Sequence, residues 1–386
     1  MSADAKSSFV GYALTALSVL LGVAACVIFF TFSVDPYRLY AKNSASDRPN
    51  AVDLFYHLRL HKPYAIERIQ PKFLVAGSSR AARLAPLHGD LTELDGYNAS
   101  LPGASMREVR RIVEHAHTVA ELDRLVLGLD YYMFDSSVAG SKELLVDARF
   151  LHPDMNLVDR LAYWLQRIED YWTAFFSIDA AIDALHAKTS NRTSRQTYHE
   201  DGTWSTNGGS MSPAWLYSQL SRQIFAQMSE GGDVRDYSEL RLLLDFLEAQ
   251  NIRTQILITP LNGLHLETIV RAAAWEKYIA WQRQIVEIVA AYNSTISVYG
   301  LENNHELVLE KVDKRNPLFD DGVHLTSLAS AQVFECFIDK CTMDSEPVLL
   351  IPTNMNKYFA KMAILRGRYL EENPLYEKKL TRWISN

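Results

Sequence analysis

The chain has 386 residues, with 39 lysines and arginines against 46 aspartates and glutamates, a formal charge of −7. Hydrophobic residues at 48% and charged residues at 22% describe a packed protein rather than a disordered one. Net acidity without a Lys/Arg block argues against a nucleic-acid partner, and three cysteines (Cys26, Cys336, Cys341) are too few for a disulfide scaffold or a four-thiolate metal site.

Residues 1–8 form a short tail. From Phe9 to Val34 the chain reads FVGYALTALSVLLGVAACVIFFTFSV, inside a charge-free stretch that starts at Ser7. As a helix this run is about 39 Å long, enough to cross a ~30 Å hydrocarbon core with some tilt. It exceeds the ~7–15 residues of a signal h-region. Val23-Ala24-Ala25-Cys26 has a lipoprotein-like look, but the apolar VIFFTF follows it. The reading is an uncleaved single-span anchor. Lys6 and the α-amino group precede the span while Arg38, Lys42 and Arg48 follow it, a balance that places the body on the cytoplasmic side.

Residues 35–70 read as a stalk and lead-in. The body, 71–345, opens with a buried strand, Phe73–Ala76, that runs into a Gly-Ser-Ser turn. A helix is expected at 106–122, a second strand at Arg124–Asp130, a helix at 240–250 and a third strand at Arg253–Pro260. A long amphipathic helix at 271–291 and a fourth strand at Ile296–Tyr299 complete the rhythm. Alternating strands and helices predict an α/β fold with a parallel sheet covered on both faces, with ligands at the strands' C-terminal ends. Residues 136–235 interrupt this rhythm with aromatic-rich helices and the turn-rich stretch HEDGTWSTNGGSMSP, and read as an insertion, a lid or a partner surface. The 346–386 tail is basic: a solvated helix face, or a segment that lies on anionic lipid.

Four fragments fall at strand ends or in adjacent loops. Gly77-Ser78-Ser79-Arg80 follows the first strand; a serine opening the next helix would feel its positive dipole end, and its hydroxyl becomes a nucleophile when a base takes the proton. His324 in Asp320-Asp321-Gly322-Val323-His324 is the candidate base, with Asp321 three residues earlier to orient it. Between them, the loop Asn98–Ser105 offers the Gly103 N–H to a developing oxyanion. The other fragment is Gly128-Leu129-Asp130.

Block by block, these residues resemble the SGNH/GDSL hydrolases: Gly77-Ser78-Ser79, Gly103, Gly128-Leu129-Asp130 and Asp321-x-x-His324. With GSS in place of GDS and one N-terminal membrane helix, the chain is similar to the extracytoplasmic acyltransferase branch, which includes alginate O-acetylation and teichoic acid D-alanylation proteins. Val34-Asp35-Pro36-Tyr37 also looks like anchored members of that group. The resemblance implies a three-layer αβα fold, a Ser79 nucleophile, a His324 base, an Asp321 orienter, and an oxyanion hole of the Ser79 and Gly103 N–H groups. It implies an O-acyltransferase or esterase of an envelope polysaccharide, without cofactor or metal, working with a multi-span membrane acyltransferase. It puts the body outside the cytoplasm, against the charge balance. The competing reading is a non-catalytic binding or assembly protein of a polysaccharide machine.

The chain departs from the pattern in its third block, where the family places an Asn that donates to the oxyanion. Asp130 is an acceptor when ionised, so it is protonated, turned away, or replaced as donor by Asn98 or Asn262. Arg80 has three options: an anionic sugar or phosphate, Asp130, or solvent. His115 and His117, two apart on a helix, are a poor metal pair and read as helix-surface residues. Cys336 and Cys341 are reduced thiols or a disulfide across a helix end. Tyr163, Trp164, Tyr171, Trp172, Phe175 and Phe176 read as satellite packing or a glycan surface.

Overall fold

The computed structural model describes residues 3–40, 54–86, 91–135, 147–189, 196–206, 213–230, 235–312, 318–338, 341, 343 and 346–385. Lys42 and Arg48 of the topology argument, the start of the expected insertion at 136, and the Gly-rich end of its turn-rich stretch lie outside these residues. In chain order the elements are α1 (Ala3–Val34), α2 (Leu58–Ile69), β1 (Phe73–Ala76), β2 (Gly96–Asn98), α3 (Met106–Ala120), β3 (Arg124–Leu129), α4 (Leu157–Phe176), α5 (Ile178–Thr189), β4 (Gln196–Tyr198) and β5 (Trp204–Thr206). They continue with α6 (Pro213–Glu230), α7 (Ser238–Ala249), β6 (Arg253–Ile258), α8 (Gly263–Arg271), α9 (Trp275–Val289), β7 (Ile296–Gly300), α10 (His305–Leu309), α11 (Ser327–Glu335), β8 (Val348–Leu350), α12 (Met355–Glu372) and α13 (Pro374–Ile384).

The chain divides into two units, residues 1–65 with 155–194, and residues 66–154 with 195–386. In the first, α1 is long and apolar enough to span a membrane. Where α1 ends, Asp35 accepts hydrogen bonds from the Leu39 and Tyr40 N–H groups at 2.9 and 3.1 Å. The Tyr37 hydroxyl then donates to Asp183 of α5 at 2.9 Å. Tyr37, Leu39, Leu60, Tyr64, Ala174, Phe175 and Ala180 form this unit's small core. Within the described residues of the supposed stalk, α2 forms, and Leu58, Leu60 and Tyr64 are buried.

The second unit is built on a six-stranded sheet ordered β2-β1-β3-β6-β7-β8. The first five strands are parallel, and β8 joins antiparallel to β7. All four residues of β1 are buried, so both faces of the sheet are covered. Phe73, Val75, Val126 and Leu257 pack on one side with Val333, Phe334 and Phe337 from α11 and the turn after it. The alternate residues Leu74, Ala76, Leu125 and Leu127 are equally buried, and α3 packs against β1 and α7. A capping box starts α3: the Glu108 N–H donates to Ser105 Oγ at 3.3 Å and the Ser105 N–H to Glu108 at 3.0 Å.

Three expectations change here. The insertion is not one body, because 155–194 belongs to the first unit and 195–235 to the second. The basic tail is not merely a solvated face. Its β8 extends the sheet, α12 buries Met355, Tyr358, Met362 and Tyr369, and Arg366 pairs with Glu267 of α8 at 3.2 Å. His115 is buried rather than on a helix surface, its Nδ1 accepting from the Leu151 N–H at 3.0 Å. Cys336 and Cys341 form a disulfide just beyond the end of α11.

Candidate active site

The strand order places β1 and β3 side by side with the chain leaving in opposite directions, to β2 from one and to β6 from the other. Such a reversal opens a crevice at the C-terminal ends of the strands. Gly77 turns the chain out of β1 at φ +150, and a Cβ there would sit 2.6 Å from the Gly128 carbonyl oxygen of β3. Only glycine lets the Gly77–Ser79 turn approach β3 this closely. Residues 78–84 continue as linked turns, with the Ala81, Ala82 and Leu84 N–H groups donating to the Ser78, Ser79 and Ala81 carbonyls. No α-helix begins at Ser79, so the expected helix dipole is not a factor at this serine.

Ser79 is half-buried, and its Oγ lies 2.8 Å from His324 Nε2. His324 Nδ1 lies 2.7 Å from Asp321 Oδ2. With Nδ1 protonated and donating to the carboxylate, Nε2 is left as the acceptor for the serine hydroxyl. Asp321 Oδ1 accepts from the Val323 and His324 N–H groups at 3.1 and 2.8 Å. Burial pushes the Asp321 carboxyl up, but the charge of His324 and these hydrogen bonds outweigh it and hold the carboxyl well below the ordinary range. Ser79, in the turn after β1, is brought together with Asp321 and His324 of the loop between α10 and α11, far away in sequence.

The Asp321–His324 loop is closed on itself. Phe319 and Leu325 pair antiparallel, and the Asp320 N–H donates to the His324 carbonyl at 2.9 Å. Glu310 accepts from the Leu318 and Phe319 N–H groups at 2.6 and 2.9 Å. Gly322 takes φ +91, and a Cβ would collide with the rings of Tyr217 and His265 at 2.6 and 2.9 Å. Burial pushes the His265 imidazole down to about 3, so this neutral ring forms an uncharged floor beneath the loop. Arg83 pairs with Asp320 and donates to the Leu325 carbonyl at 2.7 Å. Trp204 lies against both the Arg83 guanidinium, at 4.3 Å, and the His324 ring, at 6.3 Å.

Asp130 is turned into a buried network. Ser78 Oγ and Thr259 Oγ1 both donate to its carboxylate, and Arg80 Nη1 donates to Oδ1 at 3.0 Å. Of the three options for Arg80, the structure takes the pair with Asp130. Burial works against the charged guanidinium, but Asp130 together with Tyr132, Tyr278 and Asp321 outweighs it and favours the charged form. Thus Asp130 supplies no donor, and Arg80 pairs with its charge.

Asn98 and Asn262 are not free to replace that donor. Asn98 Nδ2 donates to the Ala81 and Leu84 carbonyls at 2.9 and 3.2 Å, bracing the nucleophile turn. Asn262 caps α8 by accepting from the Leu264 N–H at 3.0 Å, and its Nδ2 donates to the Glu310 carbonyl at 2.8 Å. Its own N–H holds the Gly322 carbonyl at 2.9 Å. Both asparagines position other residues. The Gly103 loop lies beside the nucleophile turn through the Leu101 N–H, which donates to the Gly77 carbonyl at 3.0 Å. Gly103 itself is exposed, at φ +64. The N–H groups of Ser79 and Gly103 have no acceptor among the described residues.

Sequence reasoning missed Thr259, Arg83, Trp204, Glu310 and His265. Thr259 sits at the end of the third expected strand, a position that itself marked it. Trp204 comes from the β4–β5 hairpin, whose turn-rich sequence concealed an anchored element: the Trp204 N–H donates to the Ala82 carbonyl at 3.1 Å. Compared with known protein families and curated proteins, the chain matches no family model and no curated sequence.

Proposed function

We propose that this chain is a membrane-anchored, SGNH-like serine O-acyltransferase or esterase that works on hydroxyls of an envelope polysaccharide. The observation that carries the reading is the relay from Ser79 Oγ to His324 Nε2 at 2.8 Å and from His324 Nδ1 to Asp321 at 2.7 Å, set at the C-terminal crevice of a parallel sheet. His324 takes the Ser79 proton as Oγ attacks the acyl carbonyl carbon. The carbonyl oxygen gains the charge and is met by the Ser79 and Gly103 N–H groups. Collapse breaks the bond to the leaving oxygen, which takes the proton from His324, and leaves acyl-Ser79. A glycan hydroxyl or water then attacks that ester, gives its proton to His324, and restores the serine. The Asp321 carboxylate stabilises each imidazolium formed on the way.

The length and apolarity of α1 support membrane anchoring. The Cys336–Cys341 disulfide supports an oxidising compartment and thereby an extracytoplasmic body, on the side the resemblance implies. A multi-span membrane acyltransferase is the expected acyl supplier by the same resemblance.

Asp130 in the place of an oxyanion donor favours a second reading, a non-catalytic binding or assembly protein that keeps the fold. A fluorophosphonate probe separates the two. The acyltransferase reading expects labelling of the full chain in detergent that is lost in Ser79→Ala and His324→Ala. Folded, unlabelled wild type that still binds glycan supports the binding protein.

A further inference from the structure

The helix α4 is amphipathic, but its polar side faces the protein. Tyr163, Asp170 and Ala174 are buried. The Tyr64 hydroxyl donates to Asp170 at 3.0 Å, Gln166 donates to Asp170 at 2.9 Å, and Arg167 lies 4.6 Å from the Tyr64 ring. The opposite side carries Leu157, Leu161, Trp164, Leu165, Ile168 and Trp172, between 58% and 85% exposed. At about 100° per residue these project within an arc of roughly 100°. Ile178, Ile182 and Leu185 repeat the pattern on α5 and are also exposed. An uninterrupted apolar surface of this extent is not left to water in a stable protein.

The position of this face in its unit identifies what covers it. α1 packs against both α4 and α5, and the contact is at the end of the span, where the Phe32 ring meets Phe175 at 5.3 Å and Tyr40 at 4.6 Å. Most of α1 before that point is exposed and apolar. The α4 and α5 surface therefore adjoins the exposed apolar surface of α1. Asp159, Arg160, Arg167, Glu169 and Asp170 bar α4 from spanning, while two exposed tryptophans suit the headgroup boundary.

We propose that the apolar face of α4 and α5 lies in the lipid bilayer at the headgroup–acyl boundary, beside the point where α1 leaves the membrane. This rests on the reading of α1 as a membrane span. The first unit is then gripped by lipid through an in-plane pair of helices as well as a single tether. That grip fixes its rotation about the axis of α1, which one helix alone leaves free.

The test uses the full chain with Cys26→Ser, spin-labelled singly at Leu161→Cys, Ile168→Cys, Thr173→Cys or Leu20→Cys without reductant. Each is reconstituted in phosphatidylethanolamine–phosphatidylglycerol vesicles, and collisions with oxygen and with a water-soluble nickel chelate are compared. Labels at 161 and 168 are expected to favour oxygen several-fold more than the label at 173, and less than the deeper label at 20. If 161 and 168 match 173 while 20 stays in lipid, the face is in water and the proposal fails with the anchor intact. If 20 is also reached by the chelate, the anchor reading itself fails. Spin–spin broadening at 161 that dilution with unlabelled chain removes would assign the face to a second copy and overturn the proposal.

Discussion

Arg80 donates to Asp130 across 3.0 Å, from the turn after β1 to the end of β3, and the Asp130 carboxylate is fully enclosed. The pair joins the two strands that flank the crevice, one residue from Ser79. A fully buried carboxylate is tolerable only when its charge is compensated locally, and Arg80 is the neighbour that does so; under the proposed acyl transfer this also keeps a bare negative charge away from a developing oxyanion.

Removing one partner leaves the other charge buried. Arg80→Met is expected to destabilise the chain by about 3–5 kcal/mol, while Arg80→Met with Asp130→Asn recovers most of that loss. A double-mutant cycle from denaturant unfolding measures the coupling. Additive effects of the two single changes would show that the pair does not act as a unit.

Asp321→Asn keeps the shape but removes the charge and the tautomer selection that His324 needs. Acyl turnover is expected to fall on the order of 10⁴, as in the Ser-His-Asp template, with probe labelling slowed in parallel. The change also has a stability signature. Asp321 is held below the ordinary carboxylate range when folded, so its contribution is complete above about pH 4 and is lost as pH falls below that. Asp321→Asn should flatten this acid limb in a pH series of melting temperatures.

The opposite slope belongs to Glu302. Burial pushes its carboxyl up to about 7, against the lowering effect of hydrogen bonds from Tyr278 and Gln282. A raised folded value favours the protonated native state, so this stability is full below about pH 4.5 and is lost as pH rises through about 7. Gln282 Oε1 has no partner among the described residues, and an amide flip lets it accept from a protonated Glu302 or from a glutamine there. Glu302→Gln should therefore lose less stability than wild type between pH 5 and pH 8.

Glycine at 322 is required twice, by its φ of +91 and by the rings of Tyr217 and His265. Gly322→Ala should lower kcat far more than it raises KM, because it displaces Asp321 and His324 rather than a binding surface. Steady-state kinetics on a small aryl ester reads the split.

The sheet was legible where strands are long and apolar. Phe73–Ala76, Arg124–Asp130, Arg253–Pro260 and Ile296–Tyr299 were all expected, and their observed ends differ by two residues at most. β2, β4, β5 and β8 are three residues each, too short for a period to register, and β8 was hidden in a tail whose charge drew the reading. Ser79, Asp321 and His324 could be picked out because each sits beside a glycine turn. The roles of Asp130, Asn98 and Asn262 could not, because a polar side chain's partner depends on which loops the fold brings beside it. The aromatic segment at 163–176 divides: Tyr163 and Phe175 pack inward, while Trp164, Trp172 and Phe176 face outward. Periodicity placed them on a helix but said nothing about which side met protein.

The central claim is that Ser79 carries the acyl group. The most direct measurement is peptide mass spectrometry after the full chain is quenched in acid during turnover of an acetyl ester. An acetyl increment is expected on the peptide containing Ser79 in wild type, and none in Ser79→Ala. Slower acetylation is expected in His324→Ala. Turnover with Ser79 unmodified, or equal turnover by Ser79→Ala, would contradict the claim.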